Sequence, residues 1–356
     1  MRTLLALTAM VSLTGAAQAA TLFTASSDQS GGLVKAYSTP TLAVTQTLLP
    51  FGPDISGANI AAASNSDGSA TLVIGAGVGG QLVKALNAGT GDLLLNFLPF
   101  DPSYRGGVRV AAGDVTGDGV ADIAVGAQSG SSAVKVFDGS SGTEIRSFSA
   151  FAPGFTGGVS LALGDVTGDG LADIIVGAGA SGAPLVTIYD GSTGLVTANF
   201  FAFNPSFTGG VSVAFGRNGS HNMLIAGQLT GGGQVRTFDP GTLAIEGAFF
   251  AFDPTYTGGV SVAAGSFGSA DSLFVGALGG SGTVNIFDAA SLAGTQSFLS
   301  FAAGGVNVAG LFAPVPEPAS WAFVLAGFAG VGIALRRSDY RRSRVAIRLR
   351  STPGAA

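Results

Sequence analysis

Two short loops carry the side chains best suited to chemistry in this sequence. Both read G-D-V-T-G-D-G-x-A-D-I, with carboxylates at loop positions 1, 5 and 9, a hydroxyl at 3, a backbone carbonyl at 7 and a glycine at 6. Such an all-oxygen set around a tight bend suits a hard cation, and Ca²⁺ is its natural occupant. We therefore predict two calcium sites. Their candidate ligands are Asp114, Thr116, Asp118, Val120 and Asp122 in one loop, and Asp165, Thr167, Asp169, Leu171 and Asp173 in the other.

The alternative for these loops is a network of Asx turns that holds a hairpin without metal. An EF-hand is excluded, because position 12 is Val125 or Val176 rather than Glu and because a strand pattern follows. Partial or missing versions of the loop occur elsewhere, at Asn65, Asp67 and Gly68, around Gly219, and around Gly268. The expected role of the two ions is to stiffen loops in a chain that has no disulfides.

Other ionisable residues form no catalytic pattern. The chain has no Cys, and its one His, His221, stands in a polar R-N-G-S-H-N segment that we expect to be a solvated loop. Arg105 and Arg109 are confined to one stretch of the chain, but they offer no general base. The aspartates that recur at one hairpin position, as turn-forming residues do, are Asp138, Asp190, Asp239 and Asp288. The chain is therefore predicted not to be an enzyme.

The elements that hold these loops follow from an internal repeat. The phrase F-x-x-F-x-P-x-[FY]-T-G-G-V recurs, and its second glycine falls at Gly57, Gly107, Gly158, Gly210, Gly259 and Gly305, with spacings of 50, 51, 52, 49 and 46 residues. Each unit contains four short runs rich in Val, Ile, Phe and Leu, separated by Gly, Asp and Ser, which predicts four antiparallel strands. Tandem four-stranded units of this length are typical of an all-β propeller.

The ends of the repeat array predict the number of blades. Five full units occupy about residues 57–100, 107–151, 158–203, 210–252 and 259–301. The segment 22–51 lacks a first strand, and the segment 304–313 is a first strand with nothing after it. Together they form a sixth blade closed by both ends of the propeller, which removes the free sheet edge. The propeller is thus predicted over residues 20–314, and the phenylalanines at 100, 151, 203, 252 and 301 are predicted to form the core between blades.

A second set of aromatic residues allows two interpretations. The four residues occupy one position in the loops that cross between blades, on the face opposite the calcium loops: Tyr104, Phe155, Phe207 and Tyr256. A ring of aromatics there could stack on sugar rings, as in propeller lectins. The alternative is that these side chains wedge between the blades as packing.

Both ends of the chain resemble targeting signals. Residues 1–19 have a basic start, an apolar stretch and an A-x-A ending, which predicts a signal peptide cleaved before Ala20; the alternative is a buried N-terminal helix. Near the other end, Pro316, Glu317 and Pro318 precede 17 uncharged residues at 319–335, which predict a membrane helix, and an Arg cluster follows. The alternative there is a plain membrane anchor.

Residues 315–344 resemble a PEP-CTERM sorting signal, found on exported proteins of Gram-negative bacteria. The resemblance implies an inner-membrane intermediate that an exosortase-type protease cuts near the Pro-Glu-Pro motif, after which the protein reaches the cell surface or the medium. The basic tail at 345–356 extends beyond the usual end of such signals and is unexplained.

The repeat units in turn resemble FG-GAP repeats, the blades of integrin α-chain propellers and of many bacterial surface proteins. Calcium loops of that family join the first two strands and read D-x-[DN]-x-[DN]-G-x-x-D. The aspartates of both loops match this pattern, whereas Thr116 and Thr167 replace the usual Asp or Asn at position 3.

Charge and composition complete the functional prediction. Residues 21–315 hold 19 acidic residues against eight basic ones, so this body is acidic and nucleic acid is excluded as a partner. We expect an exported, calcium-stabilised, non-enzymatic propeller that acts as an adhesion or scaffold protein on extracellular polysaccharide or a surface protein. The alternative is a glycan-binding lectin that uses the aromatic loops.

Overall fold

A computed structural model describes residues 21–28 and 31–313 of the chain. This part consists of 24 β-strands in six four-stranded antiparallel sheets, and it contains no helix. Accordingly, no helix long and apolar enough to cross a membrane occurs within the described ranges. The predicted signal peptide at 1–19, the sorting signal at 315–344 with its helix at 319–335, and the tail at 345–356 lie outside the described residues.

Five of the sheets are formed by consecutive strands and are numbered here as blades 1 to 5. Blade 1 contains β4 (Ser56–Ser64), β5 (Ala70–Val78), β6 (Val83–Asn87) and β7 (Leu93–Phe97). Blade 2 contains β8 (Val108–Gly113), β9 (Asp122–Ala127), β10 (Ala133–Phe137) and β11 (Glu144–Ser149). Blade 3 contains β12 (Val159–Gly164), β13 (Asp173–Ala178), β14 (Leu185–Tyr189) and β15 (Val196–Phe201). Blade 4 contains β16 (Val211–Asn218), β17 (His221–Gln228), β18 (Gln234–Phe238) and β19 (Ile245–Phe250). Blade 5 contains β20 (Val260–Phe267), β21 (Ala270–Ala277), β22 (Gly282–Asp288) and β23 (Gly294–Phe301).

The sixth sheet, called here the closing blade, joins the two ends of the described chain. Its strands are β1 (Thr21–Ser26), β2 (Val34–Ser38), β3 (Ala43–Leu48) and β24 (Val306–Gly310), in the order β24-β1-β2-β3. Strand β24 pairs antiparallel with β1 from Leu22 opposite Gly310 to Ser26 opposite Val306. The predicted six-bladed propeller, with one blade completed by both ends, is therefore confirmed.

The hydrophobic core is divided into six clusters, and each cluster draws its residues from two neighbouring blades. Second strands such as β9 and β13 are buried along their whole length, because blades cover them on both faces. Fourth strands alternate between exposed and half-buried residues, because they form the outer rim. Burial of apolar surface at each of the six interfaces between blades thus stabilises the closed ring.

Repeated aromatic contacts strengthen these interfaces. A ring near the outer strand of one blade packs against a ring on the third strand of the next, with centroids 4.5 Å apart for Phe97 and Phe137 and 4.4 Å apart for Phe148 and Tyr189. The phenylalanines predicted as inter-blade core lie in the clusters between blades, with Phe203 and Phe301 almost fully buried. The guanidinium of Arg236 lies 5.3 Å from the ring centroid of Phe203.

Two glycines of the repeat explain how closely the blades approach each other. At Gly126 in β9, an added Cβ would lie 2.3 Å from the Cγ2 of Val159 on the next inner strand. At Gly158 the backbone has a φ of +77°, and a Cβ would lie 2.0 Å from the carbonyl oxygen of Gln128. Side chains at these positions would therefore push neighbouring blades apart.

Candidate functional site

The two predicted calcium loops connect the first and second strands of blades 2 and 3. Asp114 directly follows β8, and Asp122 is the first residue of β9, so the sheet fixes both ends of the first loop. The second loop runs in the same way from Asp165, after β12, to Asp173, at the start of β13. The ends of two antiparallel strands thus hold the first and ninth positions of each loop.

Asp122 organises the first loop from a fully buried position. One of its carboxylate oxygens accepts hydrogen bonds from the backbone N–H groups of Val115 and Thr116 at 2.8 and 2.9 Å. The other accepts the N–H of Gly139 at 2.9 Å, which ties the loop to the hairpin between β10 and β11. Burial raises the pKa of Asp122, although these hydrogen bonds oppose the shift. The carboxylate therefore holds the backbone of the loop together.

The other two carboxylates of the first loop bind backbone groups within it. Asp114 accepts the N–H groups of Gly117 and Gly119 at 2.6 and 2.8 Å. Asp118 accepts the N–H of Val120 at 2.8 Å and the hydroxyl of Ser140 at 3.0 Å. An ionised carboxylate has about four acceptor positions, so each of these side chains keeps lone pairs for a further partner.

The second loop repeats most of the backbone hydrogen bonds of this arrangement. Asp173 accepts the N–H groups of Val166 and Thr167, both at 2.8 Å, and that of Gly191 at 3.0 Å. Asp165 accepts the N–H groups of residues 168 and 170, and Asp169 accepts that of Leu171 at 2.9 Å. Two loops 51 residues apart thus share one hydrogen-bond scheme.

Oxygen ligands and tight bends in both loops fit a hard cation such as Ca²⁺. The residues that would hold it are the aspartates at positions 1, 5 and 9, with Thr116 or Thr167 and the carbonyls of Val120 or Leu171 as further oxygen donors. The loop carboxylates do not converge into a compact trio, however. Among the described residues, the group of three ionisable side chains close enough to share an ion is His221, Asp239 and Glu246, whose ligand atoms lie within 4.8 Å of one another.

Hydrogen bonds between blades link the loops of blades 1 to 3. In blade 1, the side-chain oxygen of Asn65 accepts the N–H of Ala121 at 2.9 Å, and the N–H of Ser66 donates to the carbonyl of Gly119 at 2.8 Å. At the corresponding place between blades 2 and 3, the N–H of Ala172 donates to the carbonyl of Asp114 at 2.8 Å. Sequence patterns give no sign of these links, because their partners lie about one repeat apart.

His221 is not in a solvated loop, as we had expected, but at the start of strand β17. Strand β16 continues to Asn218, so only Gly219 and Ser220 form the turn of a tight hairpin, with a φ of +63° at Gly219. The imidazole Nε2 of His221 lies 2.7 Å from Glu246 and 3.8 Å from Asp239. These exposed groups form a surface ion-pair cluster when the imidazole is protonated.

The recurring aspartates are confirmed as turn-forming residues. Asp138, for example, accepts the backbone N–H groups of Ser140 and Ser141 through one oxygen, and the hydroxyl of Ser141 binds the same atom. Asp190, Asp239 and Asp288 likewise accept the N–H three residues on and a Ser or Thr hydroxyl. Hydrogen bonds, chiefly from the Ser141 hydroxyl, lower the pKa of Asp138. Hydrogen bonds also lower the pKa values of the aspartates at 190, 239 and 288.

The four loop aromatics pack against the protein. Each contacts the phenylalanine four residues earlier, as Tyr104 does with Phe100 at 5.2 Å between ring centroids; the other pairs are Phe151 with Phe155, Phe203 with Phe207, and Phe252 with Tyr256. The hydroxyl of Tyr104 lies 2.9 and 2.7 Å from the carbonyl oxygens of Gly107 and Ser129, which share its single proton. These contacts favour the packing alternative, and glycan binding through these rings stays a prediction.

A polar ring that our sequence analysis did not identify surrounds the axis of the propeller. Each inner strand has one member of this ring, which stands two residues after the second glycine of the repeat. The members are Asn59, Arg109, Ser160, Ser212, Ser261 and Asn307. The signal was available, since each of the six repeats has a polar residue between two apolar ones there. Arg105, by contrast, is exposed and donates to carbonyls of its own loop at Pro102 and Tyr104.

Comparisons with known proteins agree with this architecture. Residues 114–176 match the model of an FG-GAP-like repeat, and residues 157–198 match that of the FG-GAP repeat. These segments include both predicted calcium loops. The chain is thus a six-bladed β-propeller with FG-GAP repeats in blades 2 and 3, and such repeats are typical of extracellular or surface proteins. A search of curated proteins gives no significant match.

Solved structures show similarity in fold. A protein of unknown function from Bacteroides caccae is 11% identical with a TM-score of 0.51, over 82% of this chain and 99% of that one. Sqt1 from Saccharomyces cerevisiae is 11% identical with a TM-score of 0.47, over 78% of this chain and 87% of that one. Raptor from Chaetomium thermophilum is 14% identical with a TM-score of 0.49, over 78% of this chain and 24% of that one. At 11% identity, the similarity to the Bacteroides caccae protein extends to the fold alone.

Proposed function

We propose that this chain is an exported, calcium-stabilised propeller that acts as a non-enzymatic adhesion or scaffold protein at the cell surface or in the extracellular matrix. The observation that carries this proposal is the shared hydrogen-bond scheme of the two aspartate-rich loops. Those loops lie in the stretch that matches FG-GAP repeats, which are typical of extracellular or surface proteins.

The role of calcium in this proposal is mechanical. The two loops are joined by the hydrogen bond from Ala172 to Asp114, and the loop of blade 1 is joined to them through Asn65. An ion in the loop of blade 2 would hold three adjacent blades at one face, in a chain without disulfides. Carboxylates at 114, 118 and 122 that were drawn together around an ion would repel one another without it, and a divalent cation would offset that repulsion.

Thermal unfolding in EDTA and in Ca²⁺ tests the metal assignment. We expect Ca²⁺ at about one hundred times its dissociation constant to stabilise the wild-type chain by about 2.7 kcal/mol per site. The double variant Asp118→Ala with Asp169→Ala should lose most of that gain. Asp253→Ala, which removes a carboxylate from an unrelated turn, is the matched control and should keep it. An unchanged melting temperature in the wild type, or an equal rise in the double variant, would contradict the assignment.

The export part of the proposal rests on the two ends of the sequence. The intact mass of the chain recovered from its own host tests it, with an expected product that begins near Ala20 and ends near Pro316 to Pro318. Such a product would agree with cleavage by an exosortase-type protease. A product that still contains residues 319–356 would contradict that route and leave a membrane-anchored propeller.

The partner class is an extracellular polysaccharide or a surface protein. Retention of the purified chain on matrix isolated from its own host tests this, with matrix treated by a protease or by periodate to separate the two classes. Loss of retention after one treatment identifies the class. Equal retention on bare support and on matrix would refute the adhesion role.

A further inference from the structure

Five members of the polar ring connect neighbouring inner strands. Asn59 donates to the carbonyl of Val108 at 2.8 Å, and Asn307 donates to that of Ala58 at 2.8 Å. Ser160 donates to the carbonyl of Val211, while Ser212 and Ser261 accept the N–H groups of Val262 and Val308. The ring positions are therefore built to join each blade to the next around the central channel.

Arg109 is the exception among the six. Its Nη1 donates to the side-chain oxygens of Asn59 at 2.6 Å and Asn307 at 3.4 Å. It thus reaches past blade 1 to the closing blade, across part of the channel. Two asparagines hold one corner of the guanidinium. The Nε and Nη2 groups donate to no residue of the described chain, so one edge of the fork is left for another acceptor.

The charge of Arg109 has no counter-ion within residues 21–28 and 31–313, since no carboxylate there forms an ion pair with it. Burial lowers its pKa to about 10, so the guanidinium is still charged at neutral pH. A partly desolvated cation without an anionic partner is less favourable than a paired one, and a bound anion would compensate its charge. The residue retains partial exposure, and it lies one residue inside the start of β8, near the channel mouth at the face of Tyr104.

We propose that the central channel is a binding site for the carboxylate of a small ligand, with Arg109 as its anchor. The Nε and Nη2 groups form a planar fork that matches the two oxygens of a carboxylate, which a bidentate hydrogen-bond pair would bind. Ser212 and Ser261, whose oxygens accept the N–H groups of Val262 and Val308, keep their hydroxyl protons for a polar body attached to that carboxylate. The acidic protein body disfavours a polyanion, so a ligand with one carboxylate fits better than a phosphate polymer. This site is separate from the calcium loops.

Isothermal titration of the purified full chain, stripped of metal with EDTA and then dialysed free of it, tests the site with four probes: acetate, glucuronate, glucose and inorganic phosphate. We expect glucuronate to bind and glucose not to bind. Acetate that binds as well as glucuronate would assign recognition to the carboxylate alone, whereas weaker binding of acetate would show that the sugar body contributes. Glucose binding equal to that of glucuronate, preference for phosphate, or no glucuronate binding to the wild type would overturn the proposal.

Variants at the anchor sharpen the result. Arg109→Gln removes the charge and should abolish glucuronate binding, and Arg109→Lys keeps the charge without the fork and should weaken binding at least about tenfold. Arg236→Gln is the matched control, because that arginine donates to the carbonyl of Ala202 between blades and lies outside the polar ring. Unchanged binding in folded Arg109→Gln refutes the assignment, and the probe preferences of the wild type decide it if that variant does not fold.

Discussion

Asp122 should stabilise the propeller even without metal, and Asp122→Ala tests this. The buried carboxylate accepts three backbone N–H groups, from Val115, Thr116 and Gly139, at 2.8 to 2.9 Å. Removal of the carboxylate leaves these three N–H groups without their acceptor, and an unpaired buried donor costs about 1 to 3 kcal/mol. The raised pKa of Asp122 shows that desolvation outweighs the hydrogen bonds for the charged form, so the charge itself adds nothing to this figure. A net of about 1 kcal/mol per bond gives an expected loss of about 3 kcal/mol.

The assay is thermal unfolding in EDTA, so that no ion contributes. A loss of about 3 kcal/mol in a domain of this size corresponds to a fall in melting temperature of about 6 °C. Asp118→Ala is the control within the same loop, because that exposed carboxylate binds one N–H and one hydroxyl, and we expect a loss below about 1 kcal/mol. Equal falls for the two variants, or no measurable fall for Asp122→Ala, would refute the view that Asp122 holds the metal-free loop.

Three further predictions concern the repeat itself. Gly158→Ala should destabilise the chain by more than about 2 kcal/mol in urea unfolding, because the new Cβ would meet the carbonyl of Gln128. Gly154→Ala is the control and should cost only about 1 kcal/mol for its positive φ, since nothing lies within 4 Å of the new Cβ. Equal losses would contradict the steric argument. Tyr104→Phe should cost about 1 kcal/mol for the loss of the hydroxyl's shared hydrogen bond to two carbonyls, and an unchanged urea midpoint would disprove it. Hydrogen bonds, chiefly from the hydroxyls of Ser103 and Thr255, lower the pKa values of Asp101 and Asp253 below 3.8. The stability that these two carboxylates contribute is therefore present above that pH and is lost as the pH falls through the lowered values. Asp101→Asn with Asp253→Asn should flatten the fall in stability below about pH 4, and an unchanged slope would count against this prediction.

The sequence predicts the fold well because each repeat unit contains the four strands of one blade. Glycine spacing gave five units, and the two incomplete end segments gave the closing blade, which pairing of β24 with β1 confirms. The hairpin at His221 was missed, since a polar R-N-G-S-H-N segment reads as a loop when its pairing partners are unknown. In the structure, Arg217 pairs with Asn222 and Asn218 with His221 across a two-residue turn.

Contacts between blades could not be read from the sequence for a different reason. The link from Asn65 to Ala121 and the link from Arg109 to Asn307 join residues 56 and 198 positions apart. Their geometry depends on how six sheets close into a ring, which local strand patterns do not specify. What the sequence does contain is the polar residue at the same place in every inner strand, and its meaning is visible only once those strands surround one axis.

Strand β8 relates the two proposed sites to each other. Arg109 is its second residue, and Asp114 directly follows its last residue, Gly113. Five residues of extended chain span about 16 Å, so the calcium loop and the channel arginine lie toward opposite ends of one strand. The strand is paired to β9 along its whole length, from Val108 opposite Ala127 to Gly113 opposite Asp122. A pairing that complete would let the proposed calcium site at one face and the proposed carboxylate site near the other bind independently of each other.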